Sequence, residues 1–473
     1  MISMSIEWPR IKPLVFIAAS ILVFFISMVL GVPFTQSLSI WVFSSIIMGA
    51  LFYWRFRLAF TFLGIGVLLG SGLLDVSHLI EFAGLDIIIF LIGMMIVIGF
   101  LEERRFFEAL LDRVMKYGGR SANTTVFLLM FMAALSAALV DEVTSILFMT
   151  ALVIHLSARL KISPIPLIII TVFATNIGSS ATVVGNPVGV IVALRSGYGF
   201  ADFLRWAAPI SLLCLFVAYF ASTYYYKDYI NAMNERMKSA KEEIAAKLMV
   251  KDPAVINRMD MIVATLIFGG TLLGLVFHTF IENLLGLDKN VMLIGVPLIS
   301  AGIVILIEGA RARELVEKRV DWWTLSFFLM FFASVGTLTY TGATTLIANT
   351  VMSSIGTDLT TLLVSVGWLA GFMSALMDNV LAVTLWSSIV TQFSQFGVNI
   401  APLWWVLLFA GTLMGNLTII GSTANIVAVG LVERQKIGHI TLREWIVPGA
   451  LVSISTFALS LLLIYVQLPL LMS

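Results

Sequence analysis

The sequence predicts an all-α polytopic membrane protein. It has about 11 transmembrane helices plus two re-entrant hairpins in two inverted-topology repeats, with the N-terminus inside and the C-terminus outside. Three observations lead there. Of 473 residues, 60% are apolar and 12% are charged, and the mean hydropathy is +1.04, whereas soluble domains are about half apolar and a quarter charged. The apolar residues run in unbroken blocks of roughly 17–20 or more, the length a helix needs to cross a hydrocarbon core. Finally, polar-centred segments recur on both sides of a single polar linker at a nearly constant offset. This composition excludes a soluble enzyme, a disulfide scaffold and a disordered chain. The short alternating strands of an outer-membrane barrel are not the pattern seen.

Spans are expected at 13–32, 37–54, 58–74, 85–101, 164–193, 206–226, 260–278, 291–307, 322–340, 402–431 and 444–466. The first follows Arg10 and Lys12. It is longer than a signal-peptide core and no small-x-small cleavage site follows it, so it is expected to stay in the mature protein. Two further apolar stretches, 123–158 and 359–393, are too long for one crossing, too short for two, and polar at the centre. Both are expected to enter and leave on one side, which is tolerated where protein or a watery cavity covers the irregular backbone. Charge supports this topology. It places 25 of the 28 Lys and Arg in the cytoplasm and leaves only Arg195, Arg205 and Lys289 outside. A true crossing at either hairpin would invert everything after it and erase that asymmetry.

The one long polar stretch, 227–259, mixes both signs and is expected to be a partly helical cytoplasmic connector. The organisation is then N-terminal helices at 1–56, a first repeat at 57–226, the linker at 227–259 and a second repeat at 260–473. The repeats are visible in the letters. Leu139-Val140-Asp141-Glu142-Val143 matches Leu376-Met377-Asp378-Asn379-Val380 at an offset of 237. Thr182 through Asn186 matches Thr418 through Ser422 at 236, and Asp86 matches Asp321 at 235. The topology orients these copies oppositely. Inverted repeats with broken helices are how secondary transporters build a midplane site and exchange two conformations.

The hairpin tips carry the first candidate residues. Asp141, Glu142 and Asp378 lie in the middle of apolar runs. A carboxylate at bilayer depth is disfavoured by about 2.5–3.5 kcal/mol on insertion scales, and it persists where it faces a cavity and has a partner. No Lys or Arg falls within a predicted membrane core, which leaves a bound cation or a proton as partner. Proton and cation can compete for one such carboxyl. Thr144, Ser145 and Asn379 would add neutral ligands or orient the carboxylates. The broken spans come next. Thr175 to Pro187 and Gly411 to Asn425 combine glycines and small hydroxyls with amides, and the first ends in proline, so neither makes a comfortable continuous helix. Unwinding there frees carbonyls for a cation and aims half-helix N-termini at an anion. The candidates are Asn176, Ser179, Thr182, Gly185 and Asn186 in the first, and Asn416, Thr418, Gly421, Ser422, Thr423 and Asn425 in the second.

The remaining residues carry less. Net charge is +1, which gives no footprint for nucleic acid. The single cysteine, Cys214, sits in an apolar run as a buried hydrophobe. His78, His155, His278 and His439 form no ligand-pair spacing. Asp86 and Asp321 are expected N-caps at span entrances. Glu102 and Glu103 are expected at the interface beside Arg104 and Arg105. Trp322, Trp323, Trp404 and Trp405 fit aromatic belts. Residues 106–117 read as an amphipathic helix on the cytoplasmic face. No ATP-binding loop occurs, so energy would come from a gradient or a separate ATPase subunit.

Taken together, the Asp-Asn-Val tip at 378–380, the Gly-Asn-x-Thr-x-Ile-Gly-Ser-x-Ala-Asn run at 415–425 and the Thr-Asn-Ile-Gly run opening at 175 resemble a known superfamily. It groups arsenite permeases, NhaD-type sodium/proton antiporters, the melanosomal P protein and citrate-like or divalent-anion symporters. The resemblance covers the chain after the first two helices. It implies an inverted-repeat fold, often a homodimer, with ion and substrate roles on Asp141, Glu142, Asp378, Asn379, Asn186 and Asn425. Two departures stand out. The first tip has Glu142 where relatives carry asparagine, and residue 189 is glycine where they carry asparagine. Dicarboxylate symporters of the superfamily carry neutral Ser-Asn-Thr tips. Up to three acidic groups here would repel a dicarboxylate unless cations bind first.

The reading is therefore a multi-pass cell-membrane secondary transporter, coupled to cation or proton and most like a sodium/proton antiporter. Na⁺ is expected to draw on Asp141, Asn186, Asp378 and Asn425. No cofactor is expected beyond a bound Na⁺ or H⁺, and the partners are a small inorganic ion or small anion and the lipid bilayer. The alternative within transport is an anion or oxyanion permease for arsenite, citrate or another divalent anion. An ion channel would need a continuous pore, which an internal inverted repeat argues against. A membrane enzyme would need paired catalytic groups, and none is visible.

Overall fold

The computed structural model describes residues 8–107, 121–244 and 258–471. These are almost wholly helical, with no strand among them. Eleven of the described helices are long and apolar enough to cross a membrane. They are not all the predicted ones: both arms of hairpin one and the first arm of hairpin two are among them, whereas the span expected at 58–74 is the 14-residue helix Arg57–Gly70 and the two broken spans fall into shorter pieces. The amphipathic helix expected at 106–117 lies, from residue 108 on, outside the described residues.

Hairpin one consists of Ala122–Leu139 and Glu142–Leu160. Its turn is only Val140 and Asp141. Short polar side chains start each arm: Ser121 accepts the Thr124 N–H at 3.2 Å, and Asp141 accepts the Thr144 N–H at 2.8 Å. Hairpin two repeats the plan with Leu359–Leu376 and Asn379–Gln392. Asp378 accepts the Val380 N–H at 3.0 Å, so the matched tip aspartates each cap the second arm of their own hairpin.

The broken spans unwind where their small residues cluster. Ile165–Ser179 stops, the chain runs irregularly, and Pro187–Ser196 resumes behind Asn186, whose side chain accepts the Gly189 N–H at 2.8 Å. Ala401–Met414 passes into a short 3₁₀ turn, and Thr423–Arg434 resumes behind Ser422. Glycine is needed at two matched points. A Cβ on Gly185 would lie 2.2 Å from the Ser179 carbonyl oxygen, and one on Gly421 2.5 Å from that of Gly415. At each break the chain doubles back on its own backbone, and only glycine leaves room.

Lipid tails give apolar side chains no reason to prefer each other, so helices in a bilayer associate through close packing and hydrogen bonds. Both occur. A Cβ on Gly178 would meet the Ala134 backbone at 2.1 Å, so broken span one lies directly on hairpin one. Thr182 donates to the Ala138 carbonyl, and Thr418 donates to the Ala375 carbonyl, one bond in each repeat at corresponding positions. Ser374 adds a bond to the Gly411 carbonyl at 2.8 Å.

The chain forms two compact units. One draws on Met1–Ile88, Asp321–Thr361 and Thr384–Ile400, the other on Ile89–Val320, Leu362–Val383 and Ala401–Ser473. Both units take segments from either side of the linker. In the first, Trp322–Tyr340 packs on Phe34–Phe52 and Arg57–Gly70. Arg57, 7% exposed, donates to Thr324 at 2.8 Å and lies over the Trp54 ring. In the second, Glu308 has a fully buried carboxylate held by Arg104 at 2.6 Å and Arg311 at 3.1 Å.

Three expectations need correction. Asp321 is an N-cap, accepting from Thr324 at 3.1 Å, but Asp86 lies inside the first turn of Leu85–Glu103. There its charge meets the positive helix end. Trp322 and Trp323 are half exposed as a belt requires, whereas Trp404 and Trp405 are buried; Trp405 stacks on Tyr198 at 4.6 Å. The linker is more than a solvated connector. Its first part is the helix Lys227–Ile244, with Ile230 and Met233 buried. Cys214 is buried as expected and donates to the Thr456 carbonyl at 3.3 Å.

Candidate functional site

The candidate site lies wholly within the second unit. Its centre is Glu142, 2% exposed. As the first residue of the second arm of hairpin one, it follows the capping Asp141, so its side chain leaves the helix at the tip. One carboxylate oxygen accepts from Ser179 Oγ of broken span one at 3.3 Å. The other accepts from Ser422 Oγ of broken span two at 3.3 Å. A single carboxylate thus bridges the two repeats. Among the described residues, the acidic groups near enough to act on it electrostatically are Asp378 and Asp141.

Around it runs a buried polar network. Asn186 donates to Ser179 Oγ at 2.7 Å. Ser422 Oγ also lies 3.1 Å from the side-chain oxygen of Asn176, so its one proton is shared between that oxygen and the Glu142 carboxylate. Asn176 donates in turn to the side-chain oxygens of Asn416 at 2.7 Å and Asn425 at 2.8 Å. Asn425 donates to the Gly415 and Thr418 carbonyls, both at 2.8 Å, which ties the unwound turn of broken span two. Asn416 donates to the Phe173 carbonyl at 3.3 Å and its own carbonyl accepts from Trp445 at 3.0 Å. Buried polar groups that are mutually satisfied in this way specify one geometry.

Asp378, also 2% exposed, accepts from Thr423 Oγ1 at 2.7 Å, which joins the tip of hairpin two to broken span two. Its neighbour Asn379 is fully buried, and among the described residues neither its amide oxygen nor its amide nitrogen has a hydrogen-bond partner. An orphaned buried amide is uncommon in folded proteins.

The structure therefore separates the sequence candidates. It brings Glu142, Asn176, Ser179, Asn186, Asn416, Ser422 and Asn425 into one network, with Asp378 and Thr423 joined to each other beside broken span two. Asp141 is turned to its own helix end, so the first tip presents Glu142 where the sequence favoured Asp141. Ser145 bonds Ser136 and the Ala133 carbonyl and holds the hairpin's arms together. Thr144 supplies the N–H that Asp141 accepts. Thr182 and Thr418 stitch broken spans to hairpins, while Gly185 and Gly421 serve by lacking a side chain. Sequence reasoning passed over Trp445 and Ser374, each of which uses one polar atom on a backbone carbonyl. Nothing but a distant tryptophan or serine in an apolar run signals either.

Chemically, the site offers a carboxylate, hydroxyl and amide oxygens and unwound backbone, which suit a hard cation. No three His, Cys, Asp or Glu come together as a metal cluster among the described residues. A cation at Glu142 would take its other ligands from neutral oxygens. Four helix N-termini, at Glu142, Asn379, Pro187 and Thr423, also meet here. Such ends favour negative charge, and the tip carboxylates already stand at two of them.

Residues 45–410 match the citrate transporter family. An uncharacterized transporter of Mycobacterium tuberculosis is 29% identical over 381 residues, covering 78% of this chain and 84% of that protein. The human P protein is 24% identical over 430 residues, covering 77% of this chain and 51% of its own length. Among solved structures, the YdaH transporter of Alcanivorax borkumensis, described as having an unusual topology, superposes with a TM-score of 0.57 at 16% identity, over 84% of this chain and 87% of that one. At that identity the likeness is one of fold.

Proposed function

The chain belongs to the citrate transporter family and is a multi-pass membrane transporter; from that premise we propose that it is a secondary-active carrier working by alternating access and coupled to a cation or proton, in the manner of a sodium/proton antiporter. One observation carries this reading. Glu142 is a buried carboxylate gripped by one serine from each repeat, and the charges that act on it are themselves acidic. A negative charge so placed calls for a cation or a proton. A group touching both broken spans can also report its occupancy to both repeats, which coupling requires.

A second reading rests on different observations. The amide of Asn379 has no partner among the described residues, four helix N-termini meet at the site, and the family is described by citrate. On that reading the carboxylates bind the coupling ion, and an anion or oxyanion is carried with it.

Proteoliposomes with an entrapped pH-sensitive dye separate the two. An imposed proton gradient is followed while Na⁺, Li⁺ or K⁺, and then citrate or arsenite, is added, for wild type and for Asp378→Asn. Collapse of the gradient by Na⁺ or Li⁺ in wild type, lost in the variant, is the expected result. If cations do nothing and an anion or arsenite drives flux, the second reading replaces the first.

A further inference from the structure

We propose that the linker helix Lys227–Ile244 is a positioning strut for the transport site, closing the open end of hairpin one and setting where its tip, and so Glu142, stands. The proposal deepens the reading of Glu142 as the coupling group and rests on it.

One face of the linker helix carries Tyr229, Ile230, Met233 and Asn234. At 3.6 residues per turn these four positions fall on one side. The two apolar members are buried, Ile230 at 4% and Met233 at 0% exposed, and the helix packs on both arms of hairpin one. The two polar members hold the start of the first arm and the exit from the second, side by side at the hairpin's open end. Asn234 Oδ1 accepts the Ala122 N–H, at the first residue of the first arm, at 3.3 Å. Tyr229 donates its hydroxyl proton to the Ser163 carbonyl, just beyond the second arm. Residues five apart on a helix are separated by about 7.5 Å along its axis. Neighbouring helix axes stand about 8–10 Å apart. One helix face therefore spans both arms.

Ala122 N–H is one of the donors that no helix can satisfy internally, and Ser163 lies outside the second helix, so both groups are open to an outside partner. The rest of the linker helix does not need these bonds. Glu235 and Lys238, on its outer face, pair with each other at 2.8 Å in solvent. The mechanical consequence follows from length. The first arm has 18 residues and the second 19, so each is a rod of about 27 Å with Glu142 at its far end. With both near ends held by one rigid helix, the hairpin moves as a single lever. With them released, the arms are free to slide and splay, and the tip loses its register with Ser179 and Ser422.

The test uses the full-length protein in liposomes. Tyr229→Phe and Asn234→Ala each remove one bond and leave the apolar contacts, and Lys238→Ala on the outer face is the control. Amide hydrogen exchange is read separately at the base of hairpin one and at its tip, residues 138–145. Alongside it, the concentration of cation giving half-maximal transport is measured. We expect faster exchange at both base and tip, unchanged exchange in hairpin two, and a half-saturating concentration raised about tenfold in the double variant, the low end of what loss of supporting contacts costs a bound metal. The control should match wild type. Faster exchange at the base with an unchanged tip and unchanged half-saturation would show a purely local fastening and overturn the proposal. If no cation drives flux in wild type, the exchanger reading fails by itself, and tip exchange decides: faster supports the strut, unchanged overturns it.

Discussion

Replacing Glu142 by glutamine tests the site most directly. The substitution keeps the shape and one acceptor oxygen but removes the charge. One of the two serine bonds, both 3.3 Å long, loses its acceptor and the other keeps a neutral one, a cost of about 1 kcal/mol for bonds of ordinary strength. Against this stands relief of a charge that is 2% exposed and lies in the field of two other carboxylates. The effective penalty for such a buried ion is several kcal/mol. The second effect is larger. Without cations and at alkaline pH, E142Q should therefore be more stable than wild type by about 1–3 kcal/mol, the usual pattern when a strained functional group is neutralised. Saturating Na⁺, at 100 times its dissociation constant, should stabilise wild type by about 2.7 kcal/mol and E142Q by much less. Thermal unfolding in detergent, with and without Na⁺, reads both differences. The proteoliposome assay should show cation-driven flux falling at least about tenfold, as when a metal site loses a ligand's support. An E142Q protein less stable than wild type without cations, equally stabilised by Na⁺, and still transporting would refute the reasoning.

Other perturbations follow from the same geometry. Gly185→Ala and Gly421→Ala put a methyl 2.2 Å and 2.5 Å, respectively, from a backbone oxygen. Because backbone cannot yield as a side-chain tip can, each should lower stability by about 3 kcal/mol or more and abolish flux, seen in melting temperature and uptake. Asn176→Leu strips the Asn416 and Asn425 side-chain oxygens of a donor and Ser422 of an acceptor. At about 1–3 kcal/mol for each buried group left unpaired, the protein should melt early. Asn176→Asp, which keeps an acceptor for Ser422 but not the two donations, should not restore it.

Much of this molecule is legible in its letters. The hairpins, both breaks and the repeat offset are visible because bilayer depth makes polar residues rare, so each one stands out against an apolar background. The repeat is visible because the two breaks need the same residues: Gly185 and Gly421 where the chain folds back, Thr182 and Thr418 where it is tied to its hairpin. The ranking within the tip was not legible. Asp141 and Glu142 are adjacent, both acidic, and equally improbable in a membrane. Which one caps the helix and which enters the site depends on backbone direction at a two-residue turn. The linker shows the same limit. Its charges mark it as cytoplasmic, but Tyr229 and Asn234 matter through two backbone groups more than sixty residues away, which no local pattern encodes.

By itself, then, the sequence determined the solvent this protein lives in, its helical class, its doubled plan and the segments that must unwind. These follow from transfer free energies and backbone sterics, which act residue by residue. That one carboxylate, Glu142, meets a serine from each repeat, that Asn176 locks Asn416 and Asn425, and that Trp405 is buried rather than interfacial emerge only once the helices are packed. Those outcomes depend on which helix faces lie against each other, and packing between distant segments is a property of the whole chain.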